Sequence, residues 1–287
     1  MARARGHSGR GFGLYLLVTR LLCPLAPTLL RHRLKKGKEL PERWQEKLGK
    51  ASVQRPDGPL IWMHAVGLGE ALALRALIVA LKSARPDLNI LVTSGTRGSA
   101  EALAANGLSG ALHQFLPIDC PRARRRFLDH WSPDLAVWSE QDIWPGLVHA
   151  TAKRGIPQMW INARMNADAF TRRARMPRLY RATYGCFARI WAQDEQTAGF
   201  ITDLGGVATI EGSLKPAAAP LADQPDERAE GHDQAQPFEQ QGPVALLQAP
   251  ADHRRLHARK QDQRANPGIE RHVGVGKRHR IGKQRES

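Results

Sequence analysis

Short apolar runs alternate with amphipathic stretches over most of the chain, from about residue 60 to residue 210. After the first run, Leu72, Leu74, Leu77 and Leu81 recur at helical spacing, and the same order of run and helix then repeats. A run that is apolar throughout is typical of a parallel strand covered on both faces. The pattern therefore predicts an α/β fold with a doubly wound parallel sheet. Its predicted strands are residues 60–64, 89–94, 114–119, 134–139, 158–162, 189–192 and 207–210.

The N-terminal region departs from this pattern. Residues 11–30 are apolar except for Arg20 and two prolines, and basic residues precede them and follow them in the cluster 31–38. A basic, apolar segment of this kind favours an amphipathic anchor on an anionic membrane surface. Residues 1–38 are therefore predicted to be a membrane-associated segment; the alternative is a helix packed on its own domain.

The C-terminal region departs from the pattern because it is polar instead of apolar. Residues 223–287 contain nine glutamines and nine arginines, few large apolar residues and no sustained period. Such a segment cannot bury enough apolar surface to offset the entropy of ordering it. The predicted organisation is thus an N-terminal segment (1–38), a sheet domain (39–215) and a disordered or poorly folded tail (216–287).

The charge balance points to an anionic partner. The chain has 43 Lys and Arg against 27 Asp and Glu, a formal charge of +16, and nearly all of the excess lies before residue 223. Nucleic acid, membrane phosphate or a phosphorylated substrate would each fit. No aromatic residues are interleaved with the basic ones as a platform for bases, so nucleic acid is not expected. No His, Cys and Asp cluster has metal-ligand spacing, and three scattered cysteines favour a reducing compartment.

Glu70 is the first candidate for chemistry. It follows a predicted strand and the glycines Gly67 and Gly69, in the first turn of the next helix. Glycines allow a tight turn and a close approach by substrate, and a helix N-terminus favours an ionised carboxylate, as a general base requires. A glutamate that only complements the helix dipole is the alternative. The pair of glycines lacks the third glycine of a dinucleotide fingerprint, so no cofactor is expected.

Glu140 and Asp142 follow another predicted strand and form the second candidate. Two carboxylates there could bind sugar hydroxyls, although capping of the helix that begins at Pro145 is the favoured role for Asp142. Glu140 at a strand end is harder to explain by structure alone. His64, on an apolar strand, is expected to be a satisfied structural residue.

Asn162 and Arg164 end the fifth predicted strand and lead into an arginine-dense helix that contains Arg172 and Arg173. Guanidinium groups bind phosphate oxygens in pairs, so this helix beside a ligand crevice suits a phosphorylated ligand. A solvated basic face is the equal alternative.

Taken together, these blocks resemble the 3-deoxy-D-manno-octulosonic acid (Kdo) transferases. Residues 33–49 are similar to the entry segment of that family, residues 62–70 to its HAxSxGE block and residues 140–145 to its ESELWPN block. Residues 162–164 resemble its NARLS block and residues 212–215 its GNLK block. Several blocks in the family's order over some 200 residues make the resemblance specific.

The resemblance implies the N-terminal, Rossmann-like acceptor domain of a GT-B glycosyltransferase of the cytoplasmic face of the inner membrane. It implies transfer of Kdo from CMP-Kdo to the lipid A precursor in lipopolysaccharide biosynthesis, with inversion and without a metal or cofactor. Glu70 would be the catalytic base. The substrate-binding residues would be Gly67, Gly69, Glu140, Asp142, Asn162, Arg164, Arg172, Arg173 and Lys215.

The chain also differs from the family pattern. Gly67 stands where the family has serine, Asp142 where it has its second glutamate, and Gly146 where it has asparagine. No counterpart of the donor-binding motifs follows residue 222, and the tail resembles translation in a shifted reading frame. Two other functions stay open: a non-catalytic basic module that binds anionic lipid, and a related transferase with another sugar or acceptor.

Overall fold

The computed structural model describes residues 10–65, 68–108 and 110–214. The predicted tail lies outside these residues, as do Gly67 and Lys215. Within the described part, seven strands form one sheet in which every neighbouring pair is parallel. The strands are β1 (Leu60–His64), β2 (Asn89–Ser94), β3 (Leu112–Phe115), β4 (Leu135–Ser139), β5 (Gln158–Ala163), β6 (Arg189–Ala192) and β7 (Thr209–Ile210).

Helices alternate with these strands and cover the sheet. The described helices are α1 (Arg10–Leu22), α2 (Ala26–Lys35), α3 (Leu68–Ala84), α4 (Arg97–Asn106), α5 (Pro121–Trp131), α6 (Pro145–Lys153), α7 (Ala167–Ala174), α8 (Pro177–Tyr184) and α9 (Glu195–Asp203), with short 3-10 turns at Cys23–Leu25 and Trp44–Leu48.

The strand order is β3-β2-β1-β4-β5-β6-β7, which confirms the doubly wound parallel sheet. The order reverses between β1 and β4, and in such sheets ligands bind outside the carboxyl ends of the strands at the reversal. The largest boundary difference is at β3, which spans Leu112–Phe115 instead of residues 114–119, while β4, β5 and β7 each differ from the prediction by one or two residues. The N–H of Leu116 still donates to Ser94, but Pro117 has no N–H to continue the ladder.

Tryptophans fill the core where the central strands meet the helices. Trp62 and Trp138 lie on the adjacent strands β1 and β4, are fully buried, and pack edge to face with ring centroids 5.1 Å apart. Each indole N–H has a partner, with Trp62 donating to Thr93 and Trp138 donating to Gln158. Such packing fixes the strand ends, because the rings occupy large volumes and their polar edges allow few orientations.

One face of α1 packs on the domain. The ring of Phe12 is buried against His149, with centroids 4.4 Å apart, and the hydroxyl of Tyr15 donates to Asp119 at 2.5 Å. Burial, followed by the charge of Asp119, raises the pKa of Tyr15. The packing expected of a helix on its own domain is therefore present along this face.

The opposite face forms what we call the apolar ridge. Its side chains recur at helical spacing, are between 43% and 67% exposed, and continue through the 3-10 turn into α2. By length and composition, the segment Phe12–Lys35 could also cross a membrane, and 11% of its apolar window is buried within the fold. The ridge consists of Leu14, Leu17, Val18, Leu21, Leu22, Leu25 and Leu29.

Candidate active site

Two strands end in strained backbone at the predicted site. Glu140 directly follows β4 and has φ of 57°, and Asn162, next to the end of β5, has φ of 50°. Positive φ is uncommon for residues other than glycine and often marks a functional site. Both side chains are buried, and the amide nitrogen of Asn162 lies 3.4 Å from Oε1 of Glu140.

Neighbouring groups hold both strained residues in place. The indole N–H of Trp160 donates to the backbone carbonyl of Glu140 at 2.6 Å. The side-chain amide of Gln193 donates to the backbone carbonyl of Asn162 at 3.0 Å. The N–H of Leu214 donates to the side-chain oxygen of Asn162 at 3.1 Å. Since β4, β5 and β6 are adjacent, these bonds stabilise a strained rim along three strand ends.

His64 brings the end of β1 to the same rim. Its Nδ1 lies 3.1 Å from both the carbonyl and the hydroxyl oxygen of Thr93. Its Nε2 is buried, has no hydrogen-bond partner among the described residues, and lies 3.6 Å from Oδ2 of Asp142, which is too far for a hydrogen bond. The expectation of a fully satisfied structural histidine is therefore wrong at Nε2.

Asp142 does not cap the following helix, so its predicted capping role is wrong. The N-cap residue of α6 is Trp144, which has no side-chain capping bond. The carboxylate of Asp142 instead accepts a hydrogen bond from the indole N–H of Trp144 at 3.1 Å. Burial alone would raise the pKa of Asp142, but His64, Trp144 and Arg173 favour its charged form and together lower the pKa.

The predicted arginine-dense helix is two helices, α7 and α8, because Pro177 cannot continue a helix with full hydrogen bonding. Arg173, at the end of α7, is buried and donates to the carbonyl of Gln141 at 2.5 Å and to the hydroxyl of Tyr184 at 3.1 Å. Its guanidinium also lies 5.4 Å from the ring centroid of Tyr180. Arg173 thus positions the segment that carries the two carboxylates.

These elements enclose a cavity of about 640 Å³, which we call the strand-end cavity. Arg164 and Arg172 are exposed at this cavity, and neither forms an ion pair with a carboxylate in the described part of the chain. Guanidinium groups beside carboxylates suit a ligand that has both phosphate and hydroxyl groups. The cavity is lined by Glu140, Gln141, Asp142, Ile143, Arg164, Ala169, Arg172, Arg173, Met176 and Tyr180.

The structure thus brings five predicted residues to one cavity: Glu140, Asp142, Arg164, Arg172 and Arg173. Asn162 is not in the lining and contacts it through Glu140.

The predicted base belongs to the same edge of the sheet. Glu70 is the third residue of α3, which follows β1, and β1 pairs with β4. The side chain of Glu70 is not among those that the structure describes, so its role stays a prediction. Gly69 is exposed, and a Cβ there would meet no atom of the described residues within 4 Å. Gly67 and Lys215 lie outside the described residues.

Several supporting residues were not predicted from the sequence. Trp160 lies inside a predicted strand and Gln193 directly follows one, so their positions gave a signal that they border the strand ends. Tyr180 and Tyr184 gave no such signal, because their contact with Arg173 depends on how α7 and α8 pack.

Gly146, one of the departures from the family pattern, has a structural reason. Its N–H donates to Oδ2 of Asp119 at 2.8 Å, and Oδ1 of Asp119 accepts from Arg124 at 2.9 Å. A Cβ at Gly146 would lie 1.7 Å from Nη1 of Arg124 and 2.6 Å from Asp119. A buried guanidinium therefore occupies the space that a side chain at this position would need.

Comparisons with known proteins identify a family for this chain. The family described as 3-deoxy-D-manno-octulosonic-acid transferase (kdotransferase) matches residues 42–218, which is more than half of the chain. An Arabidopsis thaliana protein described as "Probable 3-deoxy-D-manno-octulosonic acid transferase, mitochondrial" is 39% identical over 56% of this chain and 36% of its own length.

Bacterial relatives give the same result. The 3-deoxy-D-manno-octulosonic acid transferase of Rickettsia bellii is 30% identical over 67% of this chain and 46% of its own, and that of Bordetella pertussis is 31% identical over 71% and 50%. The chain thus spans between about a third and a half of these curated relatives. Among solved structures, it is similar to a UDP-N-acetylglucosamine 2-epimerase of Rickettsia bellii, at 12% identity over 56% of this chain and 47% of that one, with a TM-score of 0.41 that supports no argument about activity.

The family matches residues 42–218, which include most of the ordered blocks and all of the strand ends described above. The chain belongs to the 3-deoxy-D-manno-octulosonic acid transferase family.

Proposed function

We propose that this chain provides the acceptor-binding half of a glycosyltransferase that moves Kdo from CMP-Kdo to the lipid A precursor. The observation that carries the proposal is the strand-end cavity, where Arg164 and Arg172 lie beside Glu140 and Asp142 at the reversal of the sheet. A phosphorylated disaccharide presents both anionic groups and hydroxyls, and this cavity offers a partner to each.

The proposed reaction is a single displacement. Glu70 takes the proton from the primary hydroxyl of the acceptor while that oxygen attacks the anomeric carbon of Kdo. The new glycosidic bond forms as the bond to CMP breaks, CMP leaves with the electron pair, and the anomeric centre inverts. The position of Glu70 in the first turn of α3, after the strand that ends at His64, supports this proposed role.

The cavity residues would divide the work of holding the acceptor. Arg164 and Arg172 are exposed and bind its phosphate, while Glu140 and Asp142 accept hydrogen bonds from its hydroxyls. Arg173 is already committed to Gln141 and Tyr184 and acts as a positioning residue.

We further propose that residues 216–287 do not supply the donor-binding half. Their sequence has no counterpart of the donor motifs of the family, and it has the composition of a shifted reading frame. The chain alone is then expected to bind the acceptor without turning over CMP-Kdo. Translating the DNA beyond codon 222 in the other two frames tests this idea, and the absence of donor motifs from both frames would contradict it.

The same proposal places the chain on the cytoplasmic face of the inner membrane, with the apolar ridge in the lipid. A spanning arrangement would have to release Phe12 from His149 and Tyr15 from Asp119, and it would place Arg20 within the hydrocarbon. An α1 that lies on the surface keeps these contacts and still buries the ridge.

Binding of the lipid A precursor in detergent micelles tests the acceptor site. The double substitution Arg164→Gln and Arg172→Gln is expected to weaken binding by about tenfold or more, because each bidentate contact to phosphate is charge-assisted. The matched control replaces Arg75 and Arg125, which are exposed outside the cavity, with glutamine. Equal losses in the two double variants would refute the site.

The two alternative functions have separate tests. With the sheet domain joined to a donor-binding half, a non-catalytic lipid-binding module would be indifferent to Glu70→Gln, whereas the transferase would lose transfer and keep lipid binding. A related transferase with another sugar or acceptor would show tighter binding to a different phosphorylated glycolipid. The exchanges at Asp142 and Gly146 are the observations that favour testing this second alternative.

A further inference from the structure

A second cavity lies away from the strand-end cavity, between the N-terminal helices and α5. Its volume is about 450 Å³, and we call it the helix hollow. Pro24, Pro27 and Leu48 give it an apolar wall, and it also contains the side chains of Cys23 and Cys120. Three arginines border it: Arg20 from α1, and Arg122 and Arg126 from α5.

Within the described part of the chain, no carboxylate lines the helix hollow. Arg20 and Arg122 are exposed and Arg126 is half-buried, and none of the three forms an ion pair with a described carboxylate. Two acids lie three residues from these arginines: Asp119 is buried and already accepts from Tyr15, Arg124 and Gly146, and Asp129 pairs with Arg154. Three cations around one opening repel each other, so an anion bound among them is favourable.

The surroundings of the helix hollow indicate what kind of anion fits. Leu21, Leu22 and Leu25 of the apolar ridge belong to the same helical segment as Arg20 and Pro24, and they are between 56% and 67% exposed. A free phosphate would leave these side chains in water. A lipid covers them with its acyl chains while its phosphate meets the guanidinium groups.

We propose that the helix hollow binds the phosphate of an anionic membrane phospholipid, with the acyl chains lying along the apolar ridge. This site goes beyond the acceptor site, because it lies on different elements and holds a lipid that is not a reactant. It rests on the membrane attachment in the proposed function, and it gives that attachment a defined headgroup contact. The chain would then be oriented on the membrane by lipid before it meets its acceptor.

The test is sedimentation of the full chain with vesicles of phosphatidylcholine, with and without phosphatidylglycerol. The wild type is expected to bind the anionic vesicles more tightly. The double substitution Arg122→Gln and Arg126→Gln is expected to reduce binding to them by about tenfold or more, since each arginine near an anionic surface contributes about fivefold. Circular dichroism and thermal unfolding confirm that the variant folds, as expected for side chains without described ion pairs.

The matched control replaces Arg175 and Arg178 with glutamine. These arginines border the opposite side of the ridge, beside Leu14 and Val18. Their substitution removes the same amount of positive charge from the same surface. A defined site predicts a clearly larger loss from the Arg122 and Arg126 pair. Equal losses, or a larger loss from the control, would mean diffuse attraction and overturn the proposal.

Two further outcomes are decisive. If glycerol phosphate binds the wild type, and the Arg122→Gln and Arg126→Gln variant loses that binding while it keeps its affinity for anionic vesicles, the hollow holds a soluble phosphate ester and the proposal fails. If the wild type binds no vesicle of either composition, membrane attachment itself fails, and the lipid site fails with it. Neither result depends on Kdo transfer, so a failed acceptor site remains distinguishable from a failed lipid site.

Discussion

The strand-end cavity and the helix hollow both have arginines at their openings, yet they are built differently. The former places two carboxylates beside its arginines, at the carboxyl ends of parallel strands. The latter has three arginines, apolar walls and no carboxylate. Excess positive charge alone therefore does not identify an active site in this chain. The strand-end cavity differs from the helix hollow in having groups that can accept a proton or a hydrogen bond from a hydroxyl. Such groups are what a catalytic site needs and an anion-binding site does not.

Backbone strain separates the two regions as well. Glu140 in the strand-end cavity and Asn162 behind it have positive φ, whereas none of the described residues that line the helix hollow does. Strain of this kind costs about 1–3 kcal/mol per residue and persists where surrounding contacts hold it. Trp160 and Gln193 provide those contacts at the strand ends. The strained backbone therefore lowers the stability of the fold beside the carboxylates. A cost of this kind is expected where side-chain geometry is important for a reaction.

The largest expected effect comes from Glu70→Gln. If Glu70 is the base, Kdo transfer falls by about 10²–10⁴-fold, because the amide cannot take the proton of the acceptor hydroxyl. The rate is measured in the sheet domain joined after residue 214 to the donor-binding half of the Bordetella pertussis relative. Binding of the acceptor and of anionic vesicles should change by less than about twofold, since neither depends on proton transfer.

An unchanged transfer rate in that variant would remove the main difference between the two cavities. Both would then be binding sites, and the lipid-binding module would become the better account of the chain. A loss of acceptor binding equal to the loss of rate would instead assign Glu70 to holding the acceptor.

Gly146→Ala is expected to have the next largest effect, on stability. The new Cβ would displace Arg124 from Asp119, and disrupting a buried pair of this kind costs about 3 kcal/mol or more. This network joins the segments that line the two cavities, because Asp119 precedes Cys120 of the hollow and Gly146 follows Asp142 of the cavity. Thermal unfolding should show a marked decrease in Tm.

Gly199→Ala is the control, because a Cβ at this position in α9 meets nothing within 4 Å. It should leave Tm unchanged or raise it slightly, since alanine has the higher helix propensity. If Gly146→Ala left Tm equally unchanged, Arg124 would have room to move. Lack of space would then not explain why this chain has glycine where the family has asparagine.

The sequence predicted the sheet and most of the strand-end cavity, but not the details of either. Periodicity located the seven strands, and their carboxyl ends carried Glu140 and Asp142 as expected. Periodicity could not predict that the indole N–H of Trp144 would donate to the carboxylate of Asp142, because that contact depends on the turn before α6. The separate helix hollow was not predicted either, since its arginines come from α1 and α5, which are about 100 residues apart in the chain.

Tyr15→Phe tests whether the two regions are independent. It removes one of the hydrogen bonds to the buried carboxylate of Asp119 and should cost about 1–3 kcal/mol of stability. Because Tyr15 holds α1 to the domain, vesicle binding should weaken while acceptor binding is preserved. For stability alone the control is Tyr180→Phe, whose hydroxyl has no hydrogen bond within the described part of the chain; because Tyr180 lines the strand-end cavity, this variant is not used to judge acceptor binding. Equal weakening of both binding reactions would show that the cavities are coupled through Asp119.

The smallest expected effect is that of Asp142→Asn, which concerns the strand-end cavity alone. The pKa of Asp142 is lowered in the folded protein, so its charge stabilises the fold above its ordinary pKa of 3.8 and this stabilisation is lost as pH falls through the lower, folded value. The side chain is 35% exposed, which limits the contribution to less than about 1 kcal/mol. Denaturant unfolding should therefore find the variant slightly less stable than the wild type at pH 7, and this difference should shrink as pH falls below 3.8. A constant difference over this pH range would mean that the indole bond, and not the charge beside His64 and Arg173, is what Asp142 contributes.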